Sequence, residues 1–348
     1  MRRLSGTVAV TAVLVAAMAG PAYAAAAPER VCRVGDGRLN EISGMATTEN
    51  GFVVVNDGAD DPAGRRIFFL DGRCKVVRTV AYPSRPRDTE DLALGADGTV
   101  WVADIGDNSA VRETVGLWRL APGGRKPELF RLRYPDGAHD AEALLLSPDG
   151  TPVIVTKTPL GAGAYVPAGP LKKTTALKRA GDVRLPMTTT SNPFSLAGRL
   201  VITGGAVSRD GTRAVLRTYA DAFEFDVRDG DVVAAITGGE PRQTALPDEP
   251  QGESIAYSRD GDALLTISEG AKPEILRYRL TNPAPASEPA PASASPSTQA
   301  VNSAPATAAA PVSESSARVP VGIVITGAVL ALTAVGVLIA RRRSRGTG

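Results

Sequence analysis

Carboxylates recur at matched places in this chain. Glu90, Glu142 and Glu253 each open a short apolar segment that runs to an Asp-Gly turn: "EDLALGADG", "EALLLSPDG" and "ESIAYSRDG". Ser43 and Thr203 open two more segments of the same form, "SGMATTENG" and "TGGAVSRDG". Two residues earlier stand Glu41, Asp88, Asp140, Val201 and Gln251. The segments after the turns end on Asn56 and Asp57, on Asp104 with Asp107 and Asn108, on Lys157, on Arg217 and on Glu269. If these ends converge, Glu90, Asp104, Glu142 and Glu253 offer a set of hard oxygen ligands of the kind Ca²⁺ takes. A cation held there polarises a substrate oxygen or activates water. Glu41, Asp57, Asp88, Lys157, Arg217 and Glu269 then line a binding funnel around it. Converging carboxylates disfavour one another's ionisation, which makes Lys157 and Arg217 candidate counter-charges. The alternative is a structural polar ring, with the acids bonded to backbone amides and to the two basic residues.

Other catalytic signals are sparse. His139 is the only histidine, so a Ser-His-Asp triad has a single available base. It precedes Asp140-Ala141-Glu142, which places His139 and Glu142 together as catalytic candidates at a funnel rim; the plainer role is a hydrogen-bonding loop residue. "GESIA", residues 252–256, has the outline of a nucleophile elbow but aligns as an ordinary strand without the strand-turn-helix context. "NDGADD", residues 56–61, offers oxygen ligands locally, and no EF-hand loop is present.

The elements that must position these residues are strands. From Ser43 to Glu90, Glu142, Thr203 and Glu253 the intervals are 47, 52, 61 and 50 residues. Asn-Gly and Asp-Gly supply the positive φ angles of tight hairpin turns. After each turn comes a β-branched, nearly continuous apolar run: "FVVVND", "TVWVAD", "PVIVTK", "RAVLRT" and "ALLTIS". Such runs suit strands buried on both faces. Third strands follow as "RIFFLD", "VGLWRL", "FEFDV" and "EILRYRL", and no helical periodicity competes. Four-stranded blades repeat at about 40–50 residues in propellers. The pattern therefore predicts an all-β fold, a β-propeller of five blades, with a sixth in the irregular stretch 159–200 as the alternative. In a blade, the start of the first strand and the end of the second share one face near the axis, so the acids meet in a funnel. "ERVCRVG" at the N-terminal end is expected to supply the fourth strand of the last blade. Cys32 and Cys74, the only cysteines, would lock that closure as a disulfide; reactive thiols are the other possibility.

The ends predict a location. Residues 1–24 have a basic start, a short apolar core and the cleavage site Ala22-Tyr23-Ala24, which reads as a signal peptide. Residues 25–281 form the propeller ectodomain, and 282–317 form a Pro/Ala/Ser-rich stalk of low core-forming capacity. Residues 318–341 read as one transmembrane helix, followed by a basic tail, 342–348, on the cytoplasmic side. A single-pass, surface-displayed and monomeric ectodomain is expected. Its ligand is a small molecule, glycan or protein. The net charge of +2 is spread without a basic stripe, which argues against nucleic acid.

Over residues 38–281 the motifs "TEDLALGADGTVWVADIGDN", "DAEALLLSPDG", "VLRTYAD" and "QGESIAYSRDGDALLTISEG" resemble a family of bacterial exported propellers labelled "esterase-like activity of phytase". More distantly, the chain is similar to calcium-dependent lactonase-type and phytase propellers. That kinship implies a funnel-bound Ca²⁺ and hydrolysis of an ester or phosphoester. The fourth repeat, "VITGGAVS", departs from the pattern by lacking an acid.

Overall fold

The computed structural model describes residues 27–58 and 61–280. The expected signal peptide, stalk, membrane span and basic tail lie outside the described residues. Among the described residues, no helix is long and apolar enough to cross a membrane.

The chain opens with β1 (Glu29–Arg33). Four-stranded antiparallel runs follow in sequence. The first holds β2 (Ile42–Thr47), β3 (Gly51–Asn56), β4 (Arg66–Asp71) and β5 (Val76–Ala81). The next holds β6 (Asp91–Leu94), β7 (Val100–Asp104), β8 (Val115–Leu120) and β9 (Glu128–Arg133). Then come β10 (Ala141–Leu146), β11 (Pro152–Thr156), β12 (Ala162–Pro167) and β13 (Thr174–Val183). A short helix α1 (Ser195–Gly198) precedes β14 (Gly204–Val207), β15 (Arg213–Arg217) and β16 (Asp221–Asp226). Helix α2 (Val232–Gly238) leads to β17 (Arg242–Ala245), which completes that run. The last run is β18 (Gly252–Tyr257), β19 (Ala263–Ser268) and β20 (Glu274–Arg279), with β1 pairing antiparallel to β20 as its fourth strand.

The first strands β2, β6, β10, β14 and β18 stand side by side in a closed cycle, which makes the fold a β-propeller. Between neighbouring runs lie the cores. Val53, Val55 and Ile67 pack against Val102 and Trp118, and Ala103 and Leu117 against Leu144 and Tyr165. Val155 and Ala164 meet Leu216 and Phe223, and Val215 and Ala222 meet Ile255 and Leu264. Leu265 and Ile275 return to Val54 and Phe68 and close the circle. Strands covered on both faces in this way are the reason the second strands are apolar along most of their length. Full burial of each large side chain stabilises by ~1.5–3 kcal/mol.

Closure follows the expected route. β1 brings Cys32 to Cys74, in the turn between β4 and β5, and the two are disulfide-bonded with Cα atoms 5.8 Å apart. The stretch 159–200 holds β12, β13 and α1, so its strands belong to the run that begins with β10. There β13 pairs in parallel with β9 through Thr174–Ala176 and Arg131–Arg133, joining two runs at their outer edges. This pairing covers two strand edges that would otherwise be open to association. The helices α1 and α2 are the departure from an expectation of strands alone. α2 is capped by Asp231, whose side chain accepts from Ala234 N at 2.8 Å.

Candidate functional site

Bulges in three of the inner strands, and the residues that lead into the other two, build the site. In β2, β10 and β18 the register shifts across Ser43, Glu142 and Glu253, leaving each as an extra residue opposite its partner strand. Glu90 and Thr203 take the same place. Glu90 N donates to Ala103 O (2.9 Å) and Thr203 N to Arg217 O (2.9 Å), the residues that face Asp91 and Gly204. A bulge re-aims a side chain that regular pleating would send into the sheet-to-sheet packing. The sequence column is thus a structural ring, and all of its members are buried.

Carboxylate oxygens of Glu90, Glu142 and Glu253 lie within 4.8 Å of one another, and the three residues are 0–1 % exposed. A second group, Asp57, Asp88 and Glu90, meets the same distance and shares Glu90. Both oxygens of Glu90, and Oε2 of Glu142, are buried without a hydrogen-bond partner. An orphaned buried carboxylate oxygen forfeits roughly 1–3 kcal/mol, more when charged. Lys157 Nζ donates to Glu142 Oε1 and lies 6.0 Å from the Tyr219 ring centre. Tyr219 OH donates to Glu253 Oε1 at 3.1 Å, and Gln251 Nε2 approaches the same oxygen at 3.4 Å while also donating to Glu269.

These surroundings displace the carboxyl pKa values upward. Burial raises Glu90 well above the usual carboxylate range, and the fields of Asp57, Glu142, Asp88 and Glu253 add to it. Glu142 is pushed up to about 8, chiefly by burial, with Lys157 opposing. Burial works against the Lys157 ammonium, but the surrounding carboxylates hold its pKa above the usual lysine value. Clustered, desolvated acids with raised pKa are a mark of functional sites. Oxygen-only donors with no histidine or thiol among them suit a hard divalent cation such as Ca²⁺, Mg²⁺ or Mn²⁺.

Three of the expected site residues do other work. Asp104 is not grouped with the glutamate trio. Its Oδ1 accepts from Arg87 N (3.1 Å), Asp88 N (3.0 Å) and Arg112 Nη2 (2.8 Å). It sits at the end of β7 with no bulge to turn it inward, so it faces β8 and the following loop. Arg217 does not neutralise the trio either; it is fully buried against Glu249, Nη2 to Oε2 at 3.1 Å, and donates to Ser254 O at 2.9 Å. Its side chain occupies the space beside Gly252, where a Cβ would clash with the guanidinium. His139 bonds through Nε2 to Asp136 Oδ1 (2.9 Å) and to Tyr165 OH (3.1 Å), which makes it part of a surface network with Arg179. Of the remaining expected lining residues, Asp57 and Asp88 join Glu90, and Lys157 joins Glu142. Glu269 is half-buried beside Gln251. Glu41 is half-buried, and its carbonyl accepts from Asp57 N at 2.7 Å.

The roles of two residues of the site, Asp91 and Gly106, were not read from the sequence. Asp91, next to Glu90, spans the channel: its Oδ2 accepts from Leu144 N (2.8 Å) on β10 and Gly205 N (3.2 Å) on β14. Burial raises its pKa against the pull of these amides. Gly106 is the other. A methyl there would overlap Glu90 Oε1 and stand 2.6 Å from Asp88 Oδ2. Arg112 shapes that loop by donating to Gly106 O (2.5 Å) and Asp104 O (2.9 Å). "DIGDN" between an acid and a strand end was the available signal for a close backbone approach.

No protein-family model matches the chain, and no curated protein matches it. Among solved structures it is similar to a streptogramin B lyase, with 15% identity over 68% of this chain and 64% of that one and a TM-score of 0.35. Virginiamycin B lyase from Staphylococcus aureus gives 13% identity over 69% and 66%, with a TM-score of 0.35. The chain therefore spans just under two thirds of the length of these lyase chains. A luciferin-regenerating enzyme gives 13% over 68% and 76%, with a TM-score of 0.41. Nothing about activity is carried over from likenesses at this level.

Proposed function

We propose that the chain is a five-bladed propeller whose funnel binds a divalent cation, Ca²⁺ in the first instance, and uses it to hold or hydrolyse a ligand bearing an ester or phosphoester group. One observation carries this reading: Glu90 is buried with both carboxylate oxygens unsatisfied, beside Glu142 and Glu253. A cation supplies what those oxygens lack. With the three glutamates ionised and Lys157 protonated, the formal charge of the cluster is about −2, which one divalent ion neutralises. When bound, the cation lends Lewis acidity to a substrate oxygen or to water. Lys157 fixes Glu142 and adds a positive charge beside it that an anionic group of a ligand would meet. The resemblance to phytase-type propellers agrees with this chemistry, and the sequence ends suit display outside a membrane through a C-terminal span.

The second reading is recognition of a glycan, peptide or protein without turnover. It is favoured by the engagement of the only histidine with Asp136 and Tyr165, away from the glutamates. The two readings separate in one experiment. The full chain is offered chromogenic esters and phosphoesters in Ca²⁺ and in EDTA. Turnover in Ca²⁺ that disappears in EDTA and in Glu142→Gln supports hydrolysis. A Ca²⁺-raised melting temperature without turnover leaves recognition, and no response to Ca²⁺ in either assay rejects both.

A further inference from the structure

Resting on the cation-binding reading above, we propose that the connection 184–203 is a strap that positions Tyr219, and that Tyr219 orients Glu253 for the cation in place of the acid the fourth run lacks. In that run the ring position is held by Thr203, whose Oγ1 donates to Gly252 O at 3.0 Å. The inner strand therefore offers the glutamates no charge. The run reaches them by another element. The turn between β15 and β16 carries Tyr219, which is fully buried and whose OH donates to Glu253 Oε1 at 3.1 Å. A donor on a ligand carboxylate decides which way its oxygens are turned, and loss of such a partner typically weakens metal binding about 10–100-fold.

The strap is longer than its task as a connection requires. Residues 82–90, 134–140 and 246–251 make the equivalent step between runs elsewhere, and each is less than half its length. The extra chain folds around Tyr219. The Phe194 ring lies against the Tyr219 ring, with centroids 4.4 Å apart. Asn192 fixes the turn that presents Phe194, because its Oδ1 accepts from Phe194 N and its Nδ2 donates to Ser195 O, both at 2.9 Å. Gly198 O accepts from Tyr219 N at 3.0 Å. Beyond the tyrosine, Asp221 accepts from the hydroxyls of Thr188 (2.5 Å) and Thr190 (2.6 Å). Arg199 Nε donates to Thr190 O at 2.8 Å and ties the two arms of the strap together. Tyr219 is thus held by its ring, by its own backbone and through its neighbour. Lys157, the partner of Glu142, stands 6.0 Å from the same ring, so one side chain lies between the strap and two of the three glutamates.

The test is calorimetric titration of the full chain and its variants with CaCl₂, with urea denaturation in EDTA as the check on folding. Tyr219→Phe keeps the ring and removes the donor, and it should weaken Ca²⁺ binding about tenfold or more. Phe194→Ala should weaken binding in the same direction. Phe194→Tyr, which keeps a ring against Tyr219, should bind Ca²⁺ as the wild type does. Phe194→Ala added to Tyr219→Phe should weaken binding no further, because the strap acts on the cation only through the hydroxyl; two residues in one chain of contacts are not additive. Unchanged Ca²⁺ affinity in Tyr219→Phe would overturn the positioning role and leave the cation-binding reading intact. A further loss on adding Phe194→Ala would overturn the strap's action through Tyr219. No Ca²⁺ binding by the wild type would overturn the cation-binding reading and this inference with it.

Discussion

The inner strands carry acids at both ends, and the two ends treat them in opposite ways. At the turn end, Asp97, Asp149 and Asp210 accept from the backbone N–H groups of Thr99 (2.9 Å), Thr151 (2.9 Å) and Thr212 (3.1 Å). The glycines that follow, Gly98, Gly150 and Gly211, have φ of 84°, 84° and 71°, the left-handed region the tight turn requires. These aspartates are satisfied locally, and the bonds hold the pKa values of Asp97 and Asp210 below the ordinary range. At the funnel end, Glu90 and Glu142 sit in the interior with their pKa values raised. An acid at the turn end stabilises the fold; an acid in the funnel costs stability. That cost is what the proposed cation would offset.

The comparison breaks down first, and by the largest amount, if the funnel acids are not of two kinds. Asp104→Asn removes one partner of a buried ion pair with Arg112, and such losses cost about 3–5 kcal/mol. Glu90→Gln, by contrast, should leave the cation-free protein as stable as the wild type or more so. Urea denaturation of both variants measures the difference. Equal losses would erase the distinction between the supporting acid and the ligand acid.

Cation binding comes next in size. At a free Ca²⁺ concentration about 100 times the dissociation constant, linkage adds about 2.7 kcal/mol to unfolding. Urea melts in Ca²⁺ and in EDTA measure this gain, and Asp97→Asn at the turn end should leave it unchanged.

Acidity sharpens the contrast further, because the two ends titrate with opposite sign. Raised funnel pKa values mean that the folded state binds protons more tightly than the unfolded chain. Without a cation, the stability due to Glu90 and Glu142 is therefore present below the ordinary glutamate value of 4.5 and drains away as pH rises, for Glu142 toward about 8. Ca²⁺ competes with those protons, so its affinity should climb over the same window. The lowered turn aspartates act the other way: their contribution is present above 3.8 and is lost on acidification. Thermal melts from pH 5 to 8 in EDTA and in Ca²⁺ should diverge as pH rises. Parallel curves would count against the raised values.

The smallest effect belongs to single turns. Asp97→Ala removes bonds to Thr99 N and Thr99 Oγ1, and about 0.5–1.5 kcal/mol should be lost, independent of Ca²⁺.

Much of this was legible before the structure. The Asn-Gly and Asp-Gly turns fix the register, so the column Ser43, Glu90, Glu142, Thr203 and Glu253 follows from counting back along each strand. The closing strand and its disulfide followed from the strand missing after "EILRYRL". What escaped was orientation. Strand alternation alone cannot tell that a bulge turns Glu142 inward while Asp104 keeps to the outer side with Arg112. Nor could it pair Arg217 with Glu249, which lies 32 residues on in an irregular segment. The reach of Asp91 to Leu144 N and Gly205 N was not legible, because adjacent acids on a strand should face apart.

The central claim is that the buried glutamates bind a divalent cation, and calorimetric titration of the full chain with CaCl₂ at pH 8 tests it most directly. Saturable binding in the wild type that is abolished in Glu90→Gln is the predicted result. Absence of binding, or binding that survives intact in Glu90→Gln, would contradict it.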